Sequence, residues 1–386
     1  MHKNYFVLYI CIILYYFVLF CIILYYCYKN LKDFNLIKLK GTFVPFFTLL
    51  LFLYNHKYII SHYKMDSFDI APGLLNRDTV ESLAAAVGGI YETHLQWFAR
   101  VCIFSKFLGH DGHILQAYHF PAADDSKPTI VFLAGWTETS LKFGNVFKSL
   151  FDAGHSIYSF DLRGQGFSAP ISYDCGPVSH MTDFGDYVKD LEHYIASMIG
   201  EDKDVIFMGF SLGTIVGLHL SKRMPTRFKQ MVLIAPALRI AMMDWWVMSA
   251  FNAAVWIGLG SFLLTRFDES IAYLNCTHHH QFRFDFLKMR RLVPLLQVQG
   301  PTVAWVCEFM KASADIIGED LGQNIFIVKC GKDDIVDNLA IDEFCSVQKC
   351  GHVEVLDVPN AYHEALQETD DIVSTVVEAV LKFVKL

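Results

Sequence analysis

Apolar and polar positions follow two alternating rhythms along most of the chain. Short β-rich runs at 129–133, 156–160, 205–210, 231–234, 325–328 and 353–358 are separated by longer stretches at 141–153, 184–199 and 212–223. A last such stretch, 372–383, closes the chain. In the longer stretches apolar residues recur every three or four positions, as Ile215, Leu218 and Leu220 do. Strands that alternate with helices predict a mostly parallel sheet flanked by helices, an α/β fold. The 205–208 run is apolar throughout, as expected of a strand covered on both faces. The rhythm fails between Pro236 and Gln323, where helical segments without a strand signal bring in Met242, Met243, Trp245, Trp246, Trp256 and Phe262. That interruption predicts a helical lid inserted into the sheet domain. The expected organisation is an N-terminal hydrophobic segment (1–64), a helical connecting segment (65–113), the first part of the core (114–237), the lid with its return helix (238–322) and the second part of the core (323–386).

The first 64 residues follow neither rhythm. Residues 5–28 carry no charge and are long enough as a helix to cross a bilayer, with aromatic residues near both ends. Lys29, Lys32, Lys38 and Lys40 follow the stretch and only Lys3 precedes it, so a single span would leave the rest of the chain on the cytoplasmic side. Residues 43–54 are apolar but short and interrupted by Pro45, which predicts an interfacial segment. The 1–64 segment also lacks Ala, Glu, Arg, Gln and Trp, a bias that equally fits a low-complexity stretch that is not part of the protein, whose chain would then start at Met65 in the cytoplasm.

Composition narrows the partners. A net charge of −8 without a Lys/Arg cluster excludes a nucleic-acid track and favours small or apolar ligands. Ten scattered cysteines without a CxxC pair predict free thiols in a reducing compartment.

The candidate chemistry centres on the 205–213 stretch, VIFMGFSLG, which sets Ser211 between Gly209 and Gly213 directly after a strand. This is the GxSxG elbow, a strained strand-to-helix turn that lifts a serine hydroxyl into reach of a base. A serine needs a histidine to take its proton and a carboxylate to orient the imidazole. In this pattern the order is serine, acid, histidine. After the 325–328 run comes CGKDDIVD, which offers Asp333 first, Asp334 as its competitor and Asp337 about one helical turn further on. His363 follows the last strand and precedes the last helix, which puts it in position to be the base. Backbone N–H groups of Leu212 and Trp136 are the candidate oxyanion donors, with Glu138 and Ser140 as supports of the second turn. No cofactor is called for. His278, His279 and His280 are adjacent on one backbone, which does not converge three rings on one ion, so no metal is expected.

DLRGQGFS at 161–168, GFSLG, GKDDIVD and AYHE at 361–364 resemble the monoacylglycerol lipase and lysophospholipase group of α/β hydrolases. The chain also resembles the bacterial inner-membrane lysophospholipases, at WTETSLKF, SHMTDFGDYVKDL, QGPTVAWV and VDNLAIDEFC, and the likeness runs from about Leu115 to the end of the chain. The resemblance implies an eight-stranded sheet, a helical cap, and hydrolysis of single-chain acyl esters through an acyl-enzyme on Ser211. It favours Asp333 as the acid, because the acid of this group stands four residues before an Asp that matches Asp337. Where the lipases carry His-Gly, this chain has Ala134-Gly135 followed by Trp136, and its lid diverges, so head group and acyl length do not carry over. Two other readings are a prolyl aminopeptidase-like serine peptidase and a membrane-tethered, non-catalytic binding protein on the same fold.

Overall fold

The computed structural model describes residues 68–123, 126–171, 178–241, 245–264 and 277–385. The candidate membrane span at 5–28 and the interfacial stretch at 43–54 lie outside the described residues. Among the described residues, no helix is long and apolar enough to cross a membrane.

Helices α1 (Arg77–Val87) and α2 (Gly89–Val101) precede the strands β1 (Ile103–Leu108), β2 (Ile114–Phe120), β3 (Thr129–Leu133), β4 (Ile157–Phe160), β5 (Val205–Phe210), β6 (Gln230–Ile234), β7 (Asn324–Cys330) and β8 (His352–Val358). They form one sheet in the order β1-β2-β4-β3-β5-β6-β7-β8, antiparallel at the β1–β2 and β2–β4 pairs and parallel from β4 to β8. The sheet has the eight strands that the resemblance implied. β1 and β2 were not among the six runs foreseen: β1 is unevenly buried, with only Phe107 buried outright, and the apolar run of β2 is broken by Gln116 and His119. The helices interleaved with the strands are α3 (Gly144–Asp152), α4 (Gly185–Met198), α5 (Leu212–Arg223), α9 (Asn338–Val347) and α10 (Asp370–Phe383).

The central strands are buried on both faces, and their period-two alternation sorts side chains between two cores. In β5, Ile206, Met208 and Phe210 join the core that holds Phe98, Phe147 and Val380, whereas Val205 and Phe207 join the core that holds Leu191, Ile215 and Phe344. Covering both faces fixes the register, because a slip of one residue would exchange the two sets.

Between β6 and β7 lie α6 (Trp245–Trp256), α7 (His280–Leu292) and α8 (Val303–Ile317). Only part of this stretch stands clear of the core. Phe282 and Phe286 of α7 pack against Tyr91 of α2, and Trp305, Phe309 and Ile316 of α8 belong to the second core. Trp256 and Phe262 are exposed, while Met242 and Met243 lie outside the described residues.

Candidate active site

Ser211 sits between the end of β5 and the first turn of α5 with φ +50° and ψ −117°, a conformation that costs on the order of 1–3 kcal/mol for a non-glycine residue. Its surroundings hold it there. The Ser211 N–H donates to the Ile234 carbonyl at 3.0 Å, and its carbonyl accepts from the Thr214 N–H at 3.1 Å. The flanking glycines are steric necessities: a β-carbon on Gly213 would lie 2.4 Å from the Leu133 carbonyl oxygen, and one on Gly209 would lie 2.8 Å from the Thr214 nitrogen. The helix can therefore start against β3, with the hydroxyl at its entrance.

Three side chains from separate elements meet here. His363 Nε2 lies 3.0 Å from Ser211 Oγ, and His363 Nδ1 lies 2.7 Å from Asp333 Oδ2. The remaining carboxylate oxygen of Asp333 accepts the N–H groups of Ile335 at 2.9 Å and Val336 at 3.0 Å, so the turn after β7 fixes its plane. The imidazole packs beside the Phe210 ring at 5.1 Å and is nearly buried. The two rival acids are placed elsewhere. Asp334 is exposed, and Asp337 caps α9 through the Leu339 N–H while pairing with Arg239 at 3.0 Å.

The turn after β3 approaches Ser211 closely: a β-carbon on Gly135 would lie 3.1 Å from the Ser211 Cβ. The next residue, Trp136, donates its indole N–H to Ser179 Oγ at 2.6 Å and lies over Trp305 at 5.4 Å. Thr137 follows at φ +65°, in the left-handed region. Ser140 donates its backbone N–H to Asp161 Oδ1 at 2.7 Å, and its hydroxyl lies 2.8 Å from that of Ser159. Asp161 Oδ2 accepts from Thr139, Tyr118 and the Phe167 N–H. Burial pushes the Asp161 carboxyl up, and these donors oppose the rise.

Glu138 points into a buried charge network. Lys142, 1% exposed, lies 2.8 Å from the Glu138 carboxylate and 2.9 Å from that of Glu364, the residue after His363. Burial pushes the Glu138 carboxyl up to about 7, Lys142 pulls it down, Glu364 raises it and Arg290 of α7 lowers it. Lys142 and Gln165 were not foreseen as site residues. Their motifs, WTETSLKF and DLRGQGFS, were visible as likeness, but nothing in them says which loop their side chains reach.

His278 and His279 have structural partners: His278 Nδ1 lies 3.1 Å from the Glu368 carboxylate, and His279 caps α7 by accepting the Phe282 N–H. Among the described residues, one set of ligand-type atoms is close enough to hold a cation, that of His110, Asp111 and Asp190. The Arg163 guanidinium already lies 2.7 Å from Asp190 and 3.1 Å from Asp111, supplying the positive charge.

The chain matches the family model described as serine aminopeptidase, S33 (Hydrolase_4) over residues 124–370, more than half of its length. It is 26% identical over 300 residues to lysophospholipase L2 of Escherichia coli strain K12, covering 72% of this chain and 86% of that one. Against the probable lysophospholipase L2 of Haemophilus influenzae the identity is 22%, covering 73% and 92%. In fold it is similar to a soluble variant of monoglyceride lipase from Saccharomyces cerevisiae, with TM-score 0.61, 17% identity, and coverage of 74% of this chain and 96% of the other. It is likewise similar to the monoacylglycerol lipase of Paleococcus ferrophilus, with TM-score 0.57, 17% identity, and coverage of 70% and 98%. The chain therefore belongs to the serine aminopeptidase S33 family of hydrolases and has the α/β-hydrolase fold.

Proposed function

We propose that the chain is a serine hydrolase that cleaves carboxylic esters of single-chain acyl lipids, of the lysophospholipid or monoacylglycerol kind. One observation carries the reading: the unbroken line from Ser211 Oγ to His363 Nε2 at 3.0 Å and from His363 Nδ1 to Asp333 Oδ2 at 2.7 Å. In the proposed reaction His363 takes the Ser211 proton as the oxygen attacks the ester carbonyl, and Asp333 holds the imidazole and stabilises its positive charge. Charge develops on the former carbonyl oxygen, which the backbone N–H groups of Leu212 and Trp136 receive. The Leu212 N–H belongs to the first turn of α5, where N–H groups have no intrahelical acceptor and the helix dipole favours an anion. The alcohol leaves with the proton from His363, and water then clears the acyl group from Ser211 by the same steps. The curated relatives, named as lysophospholipases, support an acyl lipid ester as substrate. The stretch between β6 and β7 is the proposed lid.

The family description leaves a peptidase reading in view, so ester and amide substrates are compared in one experiment. Turnover of a lysophospholipid, a monoacylglycerol and an aminoacyl amide is measured on the parent and on Ser211→Ala, together with fluorophosphonate labelling. The expected result is ester turnover and labelling in the parent and neither in the variant. Labelling or ester turnover that survives in Ser211→Ala overturns the nucleophile assignment. A higher kcat/KM for the amide than for either lipid overturns the ester assignment, and a parent inert even toward a p-nitrophenyl ester leaves the non-catalytic reading.

A further inference from the structure

Gln165 lies in DLRGQGFS, in the turn after β4, and is 3% exposed. Its backbone is satisfied within that turn: its N–H donates to the Leu162 carbonyl at 3.2 Å, and its carbonyl accepts from the Ser168 N–H at 3.2 Å. The side chain is directed entirely at the loop after β3. Its Nε2 donates to the Gly135 carbonyl at 2.7 Å and to the Glu138 carbonyl at 3.3 Å, and its Oε1 accepts the Thr137 N–H at 3.2 Å. One carboxamide therefore grips the turn on both sides of Trp136.

The consequence lies in the peptide between Gly135 and Trp136. No peptide bond among the described residues is cis, and in a planar trans unit the C=O and N–H point in opposite directions. Fixing the Gly135 carbonyl toward Gln165 therefore fixes the Trp136 N–H away from it. Gly135 abuts Ser211: a β-carbon on it would lie only 3.1 Å from the serine Cβ. The next N–H along, that of Thr137, is held by Gln165 itself while Thr137 sits at φ +65°, a conformation that an unsupported threonine would leave.

We infer that Gln165 is a positioning residue for acyl transfer: its carboxamide locks the Gly135–Trp136 peptide with the Trp136 N–H on the Ser211 side, so the second oxyanion donor is aimed before substrate arrives. Preorganised donors of this kind are effective because no reorientation accompanies the developing charge. The inference rests on the acyl-transfer reading of Ser211 given above.

Gln165→Glu keeps the shape but removes the donor to the Gly135 carbonyl, and Gln165→Met removes donor and acceptor. Each is compared with the full-length parent and with Ser211→Ala in ester turnover, thermal unfolding, and inhibition by an acyl trifluoromethyl ketone. In that inhibitor Ser211 Oγ adds to the ketone carbon, the serine proton passes to His363, and the carbonyl π pair becomes an alkoxide that needs the same donors. The expected result is a kcat lowered by at least about 10-fold, towards the roughly 10²–10³-fold cost of deleting one oxyanion donor. KM stays within about 3-fold, and affinity for the ketone falls in parallel with kcat. Folded variants with parental kcat and ketone affinity overturn the inference, as does a kcat that falls while ketone affinity stays parental. If the single variants do not fold, Gln165→Met is combined with Thr137→Gly, which removes the positive-φ strain. A folded double variant with parental kcat overturns the inference, and one with lowered kcat and ketone affinity upholds it. Loss of activity in Ser211→Ala with unchanged Gln165 variants removes only this inference, whereas turnover surviving in Ser211→Ala removes the acyl-transfer reading and the inference together.

Discussion

Three aspartates crowd the turn after β7, and only their surroundings tell them apart. Asp333 has a side chain 1% exposed, touches the imidazole and accepts two backbone N–H groups, while Asp334 faces solvent and Asp337 is engaged with Arg239 and the start of α9. Asp333→Asn keeps the shape but presents either an amide N–H or a neutral oxygen to His363 Nδ1, which disturbs the tautomer that a base toward Ser211 requires. A drop in kcat of about 10⁴-fold is expected, the size associated with this change in serine triads. Asp334→Asn is expected to stay within about 2-fold of the parent. Equal losses in the two variants, measured as ester turnover on folded protein, would count against Asp333 as the orienting acid. Ser211 and His363 were legible in the sequence because a local pattern marks the first and chain order marks the second. Gln165 and Lys142 were not, since what matters about them is the loop that each side chain reaches across the fold.

The parallel strands and their helices were legible because hydrophobic periodicity reports burial, and strands covered on both faces leave a strong trace. The inserted stretch was harder to read. Its apolar residues gave one signal for helices with different fates: α7 packs on α2 and α8 against α5 and α9, while Trp256 and Phe262 face solvent. Periodicity identifies a helix with an apolar face but not the surface that will cover it. The close approach of α5 to β3 was legible through Gly213. A methyl group there would meet backbone oxygens of Leu133 at 2.4 Å and Ala134 at 2.7 Å, neither of which can rotate away. Gly213→Ala must push the start of α5 off the sheet and carry Ser211 with it. A destabilisation of at least about 1–3 kcal/mol is expected, with fluorophosphonate labelling slowed further than the folded fraction explains. An unchanged melting temperature and labelling rate would show that the helix start tolerates displacement.

The charge network around Lys142 ties together the loop after β3 through Glu138, the histidine loop through Glu364, and α7 through Arg290. Such a network makes global stability depend on pH, with a sign set by the direction of the Glu138 shift. In the unfolded chain that carboxyl titrates near its ordinary 4.5, whereas in the fold burial pushes it up to about 7 despite Lys142. Below the lower value Glu138 is protonated in both states. Between the two values the folded protein retains a proton that the unfolded chain has released, so stability falls as pH rises through this window and levels off above it. At about 1.4 kcal/mol for each pH unit, the loss is at most about 3–4 kcal/mol. Glu138→Gln has no carboxyl to titrate and keeps the Lys142–Glu364 pair, while Asp161 and the other buried acids are common to both proteins and cancel in the comparison. Urea midpoints measured at pH 5 and pH 7.5 are therefore expected to converge or cross, with the parent losing more stability than Glu138→Gln on raising the pH. Parallel profiles for the two proteins would mean that Glu138 is ionised throughout the window, with Lys142 and Arg290 outweighing its burial.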